Sequence, residues 1–511
     1  MKVVVTAAQM AELDRLTIEQ FALSGILLME NAGRGVVDLI LDRFRFRTVH
    51  IYCGPGNNGG DGFVIARYLK NRGFEPAVLL LSVKDKLTPD ARFHFERLVQ
   101  FGITPCIVQS AEDLPKEKPD LIVDALLGTG VRGSLRGLIA QAVAHLQAQG
   151  APIVAVDIPT GVNADSGAVE GIAVKADLTA TMALMKRGLL FSPGREHCGR
   201  IEIVDICMPQ ALIAAHDPRI YRLEKEDVGK LLPRRAPNAH KTQCGQVLVI
   251  AGSRGFTGAA SLTAETALRA GAGLVYLATP SDLNVIYETK LTEVITLPTG
   301  DVGRFTAASL PLLLEQAATK DAVAVGPGMG RDPETQALIK SLLLQIDRPL
   351  VLDADGLNAC VGHTQLFAAH RRGLVLTPHA GELARLTGLS ADQITAEPVE
   401  TAARFAKEWK CTLVLKGGPT VIAAPDGSVY INSTGNAGMA TAGTGDVLTG
   451  LIASLLAQGL TPKDAAAAGV FIHGLAGDLA AEKLGQAGMI AGDLLRNVPQ
   501  ALMEIENAAP L

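Results

Sequence analysis

The sequence predicts an α/β protein of two domains, each built on a largely parallel sheet. Three observations carry this expectation. Short apolar runs of strand length alternate with helix-periodic segments through both halves of the chain. Nearly every such run ends in a turn rich in glycine, Asn or Asp, which is where open parallel sheets bind their ligands. A charged, proline-bearing stretch at 206–245 interrupts the alternation, and shifts of that kind mark domain junctions. At 511 residues the chain can bury two cores, and we place the domains at 1–215 and 225–505.

In the N-terminal half, Thr6 to Gln9 reads as a T-x-x-Q capping box, followed by Met10, Leu13, Leu16 and Phe21 on one helix. ILLMENAGRG continues as a second helix. Strands are expected at 48–53, 76–82, 121–125, 152–157, 176–182 and 201–205. In the C-terminal half they are expected at 246–251, 274–278, 322–326, 349–353, 374–377, 412–416 and 420–424, with PDG closing a hairpin into SVYIN. An Ala-rich helix covers 259–272. A helix follows GTGD at once, where Val447, Leu448, Leu451, Ile452, Leu455 and Leu456 repeat with helical period and small residues fill the other face. That helix should be buried nearly all round.

Composition excludes several classes of function. A net charge of −5 leaves no basic footprint for nucleic acid. The seven cysteines are scattered, without metal-ligand or C-x-x-C spacing, and suit a reducing compartment. The N-terminus turns polar too soon for a signal peptide, and no apolar run has membrane length. A cytoplasmic protein is expected.

The chemistry should lie at the strand ends. Gly54, Gly56 and Gly59 satisfy G-x-G-x-x-G, but the next strand ends in Ser82 and Val83, with no acid to hold a ribose diol. A dehydrogenase reading therefore rests on a coincidence. Successive strand ends carry Asn58, Asp61, Asp124, Asp157, Thr160 and Lys186 toward one crevice. Their carboxylate, amide and hydroxyl oxygens suit a hard cation. Asp157 and Lys186 can form an acid–base pair, or Lys186 and Arg187 can be a solvated basic pair. In the C-terminal half, AGSRGFTGAA, GPGMG, DADGLN, TPHAGE, KGGPT and GTGD crowd one sheet edge, as a long phosphate-bearing ligand requires. Asp446 lies in the first turn of the buried helix, where free N–H groups and the helix dipole favour an anion. Asp353 and Asp355 either hold magnesium through water or cap the following helix. His379 opens another helix and sits at a strand end.

Residues 1–215, through LMENAG, GPGNNGGDG, DALLGTGVRG, VDIPTGVNADSG and Lys186, resemble the NAD(P)H-hydrate epimerase family, with a Rossmann-like doubly wound sheet. The resemblance implies potassium held by Asn58, Asp124 and Thr160. It implies hydrated dinucleotide against Asn57, Asn58, Gly59, Gly60 and Asp61, against Gly128, Thr129, Gly130, Val131, Arg132, Gly133 and Ser134, and against Asp157. Residues 225–505 resemble the ribokinase-like ADP/ATP-dependent NAD(P)H-hydrate dehydratases, an α/β sandwich. That likeness implies adenine nucleotide on Lys416, Gly417, Gly418, Pro419, Thr420 and Gly445. It places Ala259, Gly328, His379 and Asp446 against the hydrated dinucleotide, with magnesium bridging phosphates.

Together the halves resemble the fused NAD(P)H-hydrate repair family. The implied work is to epimerise the R and S hydrates of NADH and NADPH and to dehydrate the S form with ADP, ATP being the alternative. Asp446, Asp157 and Lys186 are the expected catalytic residues. A homo-oligomer is expected, with no nucleic acid and no membrane among its partners. A small-molecule kinase acting on a hydroxymethylpyrimidine or thiazole alcohol would also explain GTGD and KGG, but not TPHAGE or the N-terminal domain.

Overall fold

The central strands of the first sheet are buried nearly throughout, their side chains alternating between two covered faces. In the computed structural model, which describes residues 1–299 and 302–508, seven strands of the N-terminal unit lie side by side. Their order is Cys106–Ile107, Glu75–Leu80, Thr48–Cys53, Leu121–Ala125, Ile153–Val156, Leu178–Met182 and Arg200–Val204, all pairs being parallel. Ile51, Leu80, Val123 and Val154 point to one face, where they pack with Val36, Val37 and Ile40 of helix Gly25–Arg43 and Phe63 and Ile65 of helix Asn57–Asn71. Their neighbours Tyr52, Leu79, Ile122 and Ala155 point to the other, against Ala142, Val143 and Leu146 of helix Gly137–Ala148. Both faces are covered, so the sheet is doubly wound.

The chain leaves Thr48–Cys53 outward toward Glu75–Leu80 and later returns to Leu121–Ala125 on its other side. That reversal opens a crevice at the carboxyl ends of the two central strands. The loops beginning at Gly54 and Leu126 line it.

The first helix, Ala7–Phe21, begins with the expected box: Gln9 N–H donates to Thr6 Oγ1 and Thr6 N–H to Gln9 Oε1. Phe21, read with the buried face, is 45% exposed because the helix ends there in a left-handed Ala22. A short strand, Lys2–Val5, pairs in parallel with Met185–Lys186, and neither strand was expected.

The chain divides into two units, Lys2–Pro218 and Arg219–Leu511 with Met1. In the second, strands run in the order Ile295–Thr299, Leu274–Pro280, Gln246–Ile250, Ala322–Val325, Leu350–Leu352, Leu374–Leu376, Thr412–Leu415, Val421–Ala423, Val429–Ile431 and Ile220–Arg222. Only Val421–Ala423 runs against its neighbours, and its hairpin closes at Asp426–Gly427. Helix Thr444–Ala457 is buried at every residue from Val447 to Ala457, packed with helices Thr257–Arg269 and Pro462–Leu484.

Part of the stretch read as linker is folded. Ile220–Arg222 pairs with Val429–Ile431, and Leu223, Val228 and Leu232 enter the core of the second unit. Three apolar anchors are enough to seat this segment despite the charges around them.

Candidate functional site

The N-terminal crevice is a cavity of about 650 Å³. Of the expected residues, Asn57, Asn58, Asp61, Gly128, Thr129, Gly130, Val131, Asp157 and Lys186 line it. Gly59, Gly60, Arg132, Gly133 and Ser134 are not among the lining residues. The G-x-G-x-x-G spacing has a packing explanation: a Cβ on Gly54 would lie 1.8 Å from Leu126 O, and one on Gly59 would lie 1.9 Å from Gly54 O. These glycines let the turn close on itself and pack against the loop at Leu126.

Asp157 has a left-handed backbone, φ 68°, which Asp tolerates better than most residues. Its Oδ1 accepts from Lys186 Nζ at 2.5 Å, Met182 N–H at 3.1 Å and Thr181 Oγ1 at 3.2 Å. Lys186 is fully buried and donates also to Met182 O at 2.7 Å and Thr181 Oγ1 at 3.2 Å. Three acceptors satisfy its three protons. Lys186 is therefore not part of a solvated basic pair. It is a buried anchor that fixes the Asp157 carboxylate at the cavity wall.

Asp61 is buried in the first turns of its helix. Burial, and next to it the charge of Asp157, push its carboxyl well above the usual range. Asp14, which sequence reasoning missed, lines the same cavity from helix Ala7–Phe21.

Behind the cavity wall, Asp124 is fully buried and accepts from Thr160 N–H at 2.8 Å, Thr160 Oγ1 at 2.7 Å and Leu126 N–H at 3.2 Å. Burial pushes it up to about 6 despite those donors. The next loop residues reach its neighbours: Leu127 N–H donates to Thr160 Oγ1 at 3.1 Å, and Gly128 packs on Asn58. Both amide atoms of Asn58 are buried without a protein partner. An orphaned amide oxygen costs about 1–3 kcal/mol, so a ligand there would be favoured. Amide, carboxylate and hydroxyl oxygens without nitrogen or sulfur are the donor set of a hard cation.

In the second unit, Gly443 starts the buried helix with φ 91°. The amides of Thr444, Gly445 and Asp446 precede the first intrahelical bond, Val447 N–H to Gly443 O at 3.2 Å. They form an anion cradle. His473, also missed from sequence, donates from Nε2 to Thr444 O at 2.9 Å. Burial drives its imidazole down to about 4, so it stays a neutral donor that holds the first turn.

Lys416 Nζ reaches Asp353 Oδ1 at 2.9 Å and Glu382 at 3.7 Å. Burial lowers the ammonium, but those two carboxylates outweigh it and hold it above its usual range. Lys416 Nζ lies 3.4 Å from where a Cβ on Gly445 would stand, at the mouth of the cradle. Asp353 also accepts from Thr449 Oγ1 at 2.8 Å. Asp353 does not cap the following helix, whose N-cap is Ala354 without a side-chain hydrogen bond; its carboxylate is the counter-charge of Lys416. Asp355 does stand in the first turn of helix Asp355–Asn358, and it accepts from Gly330 N–H at 2.8 Å.

Asp446 is raised to about 7, first by burial, then by Asp353, with Lys416 opposing and Asp355 adding. A carboxylate beside an anion cradle, titrating near neutrality, suits a general base. Gly328 and Ala259 meet, the Ala259 Cβ lying 3.1 Å from a Cβ built on Gly328. His379 is the N-cap of helix Ala380–Thr387, its Nδ1 accepting from Gly381 and Glu382 N–H. It bridges in parallel to Lys416, so cap and strand end coincide. Gly417, Gly418, Pro419 and Thr420 form the open turn after that strand, braced by Thr420 Oγ1 on Gly417 O at 3.1 Å.

A family profile described as NAD(P)H-hydrate dehydratase matches residues 247–500, and one described as YjeF-related protein N-terminus matches residues 25–188. The bifunctional NAD(P)H-hydrate repair enzyme Nnr of Moorella thermoacetica is 45% identical, covering 98% of this chain and 97% of its own. That of Escherichia coli is 38% identical, covering 87% and 83%. Among solved structures, the ADP/ATP-dependent NAD(P)H-hydrate dehydratase of Bacillus subtilis, co-crystallised with ATP/Mg2+, is 30% identical, with a TM-score of 0.49 over 56% of this chain and 99% of its own.

Proposed function

The chain belongs to the family of bifunctional NAD(P)H-hydrate repair enzymes, and from that premise we propose how its residues divide the two reactions. It is an epimerase for the R and S hydrates of NADH and NADPH and a dehydratase for the S hydrate. The N-terminal cavity takes the first reaction and the cradle at Gly443–Asp446 the second.

One observation carries the dehydratase assignment: Asp446 stands in the first turn of a helix whose leading N–H groups are free, beside Lys416, and burial raises its carboxyl to about 7. Hydroxide is a poor leaving group. Asp446 takes the proton of the ring hydroxyl as that oxygen attacks the terminal phosphorus of the nucleotide. Helix amides and Lys416 offset the charge that gathers on the transferred group. Phosphate then leaves with the C–O electron pair as the ring nitrogen forms a C=N bond, and loss of a ring proton completes NAD(P)H. ADP is our expected donor, giving AMP and phosphate.

Magnesium would arrive on the nucleotide phosphates, because Asp353 is engaged by Lys416 and Thr449. Potassium would sit on Asn58, Asp124 and Thr160, supported by the unpartnered Asn58 amide; its charge would steady the loop that meets the dinucleotide. No helix among the described residues is long and apolar enough to cross a membrane. We expect a cytoplasmic homo-oligomer.

The test is to incubate the protein with hydrated NADH and ADP and follow the dihydronicotinamide absorbance. Recovery is expected. No recovery with either ADP or ATP would sink the dehydratase assignment.

A further inference from the structure

Epimerisation makes a demand that the Asp157–Lys186 pair does not meet alone. The hydrated carbon is a hemiaminal, so water must leave one face of the ring and return to the other. One face needs a group that gives a proton while the opposite face needs one that takes it. Lys186 has no proton to offer the cavity, since its three are held by Asp157, Thr181 and Met182. Asp157 is a committed acceptor on Oδ1, with Oδ2 left to take a proton.

A second carboxyl enters the lining from a different element, helix Ala7–Phe21. Met10, Ala11, Asp14 and Ile18 line the cavity from one face of helix Ala7–Phe21, as their spacing requires. Asp14 is the sole charged residue of that four. No hydrogen bond or ion pair engages its side chain among the described residues. The groups that face it are Lys186 and Asp157 from the strand ends and Asp61 from helix Asn57–Asn71, while Asp90 lines the cavity from helix Pro89–Gln100.

We propose that Asp14 is a catalytic residue of the epimerase, exchanging a proton with the ring oxygen on the face opposite Asp157. The inference rests on the epimerase reading above. In one direction Asp14 gives its proton to the hydroxyl oxygen. The C–O bond breaks, the ring nitrogen lone pair forms a C=N bond, and water departs. A second water adds from the Asp157 side, the C=N pair returns to nitrogen, and the added water's proton passes to Asp157. Water in the cavity carries that proton back to Asp14, so no group is consumed. The reverse direction exchanges the two roles.

Burial raises the Asp14 carboxyl, Lys186 draws it down and Asp157 pushes it back up, leaving it at about 6. It can therefore both give and take a proton near neutral pH. Asp61, pushed well above the usual range, remains closer to a fixed donor.

The test uses the full-length protein and the pure R hydrate of NADH without nucleotide, with formation of the S hydrate followed by chromatography. For Asp14→Asn we expect kcat for exchange to fall by about 10²-fold, with KM within about twofold. The limb of the pH profile with its midpoint near 6 should vanish, and Asp14→Glu should restore part of the rate. Dehydration of the S hydrate with ADP should be unchanged, which reports that the variant is folded. If Asp14→Asn exchanges epimers at the wild-type rate and profile, the proposal is overturned. So too if the loss lies in KM with the pH limb intact, which is the signature of a wall residue. If the wild type does not interconvert the hydrates, the epimerase reading falls and takes the proposal with it.

Discussion

Replacing Asp446 by Asn removes the proton acceptor of the dehydratase and, with it, a charge that the fold holds away from water. The two effects have opposite signs. The carboxyl ionises near 3.8 in an unfolded chain and at about 7 in the folded one. The folded protein therefore holds an extra proton between those values. The associated stability is fully present below about pH 4 and is lost as pH rises through 7. At ~1.36 kcal/mol for each pH unit, the full loss at pH 8 approaches about 4 kcal/mol as an upper bound. Asn carries no such cost. We expect Asp446→Asn to melt above the wild type at pH 8, by up to about 8 °C at ~2 °C for each kcal/mol, and to match it near pH 4.

Activity moves the other way. As a base Asp446 must be ionised, so wild-type kcat/KM for dehydration should rise about tenfold between pH 6 and pH 8. Asp446→Asn should lose about 10²–10⁴ in kcat while epimer exchange persists. Differential scanning calorimetry and the absorbance assay across pH 4–9 read both halves. A variant that dehydrates at the wild-type rate, or that melts below the wild type at pH 8, refutes the assignment of Asp446 as a strained base.

Three further outcomes are expected. Lys186→Met strands Asp157 without its buried partner, which costs about 3–5 kcal/mol; a lower melting transition and lost epimer exchange should accompany normal dehydration of pure S hydrate. Asn58→Leu removes two unpartnered amide atoms, so exchange should be slow and indifferent to replacing potassium chloride with tetramethylammonium chloride, whereas the wild type should depend on potassium. Gly443→Ala places a Cβ 2.7 Å from Leu262 Cδ1 and 3.0 Å from Ala491 Cβ at φ 91°. The backbone strain alone is about 1–2 kcal/mol, and dehydration should be lost before epimer exchange, read by the same two assays.

The parts of the site that were legible in the sequence are those whose position follows from the strand they end. Asn58 and Asp157 follow strands Thr48–Cys53 and Ile153–Val156 within a few positions and Asp124 lies near the end of Leu121–Ala125, and parallel strands bring such ends to one edge; Asp446 was legible instead from the glycine turn that opens its apolar helix. Asp14 and His473 follow no strand. Asp14 reaches the cavity because helix Ala7–Phe21 packs there, and His473 reaches Thr444 because helix Pro462–Leu484 packs on Thr444–Ala457. Helix docking is long-range and leaves no mark at either position. Lys186 was legible as a cation but not as a buried one, since its three acceptors come from Asp157, Thr181 and Met182 and only tertiary folding assembles them. Strand Ile220–Arg222 escaped for a different reason: three residues among charges carry too little periodicity to distinguish a paired strand from a linker.

Both sites face the same chemical obstacle, a carbon–oxygen bond whose leaving group is hydroxide, and their carboxyls differ as the two solutions require. In the N-terminal cavity the oxygen leaves as water, so the useful group is one that still carries a proton near neutrality. Asp61, held well above the usual range by burial, meets that need, and Asp14 at about 6 can give and take a proton beside it without a nearby anion cradle. At the Gly443 helix the oxygen leaves as phosphate, so the useful group must accept a proton while an anion is held beside it. Lys416 and the helix amides would lower Asp446 too far to be a base if they acted alone. Burial first, and then Asp353, which pairs with Lys416 and repels Asp446, bring it back to about 7. On this reasoning Asp353→Asn should shift the acidic limb of the dehydration profile to lower pH and weaken the variant's base at the same time. An unshifted limb would mean that burial alone sets the proton affinity of Asp446.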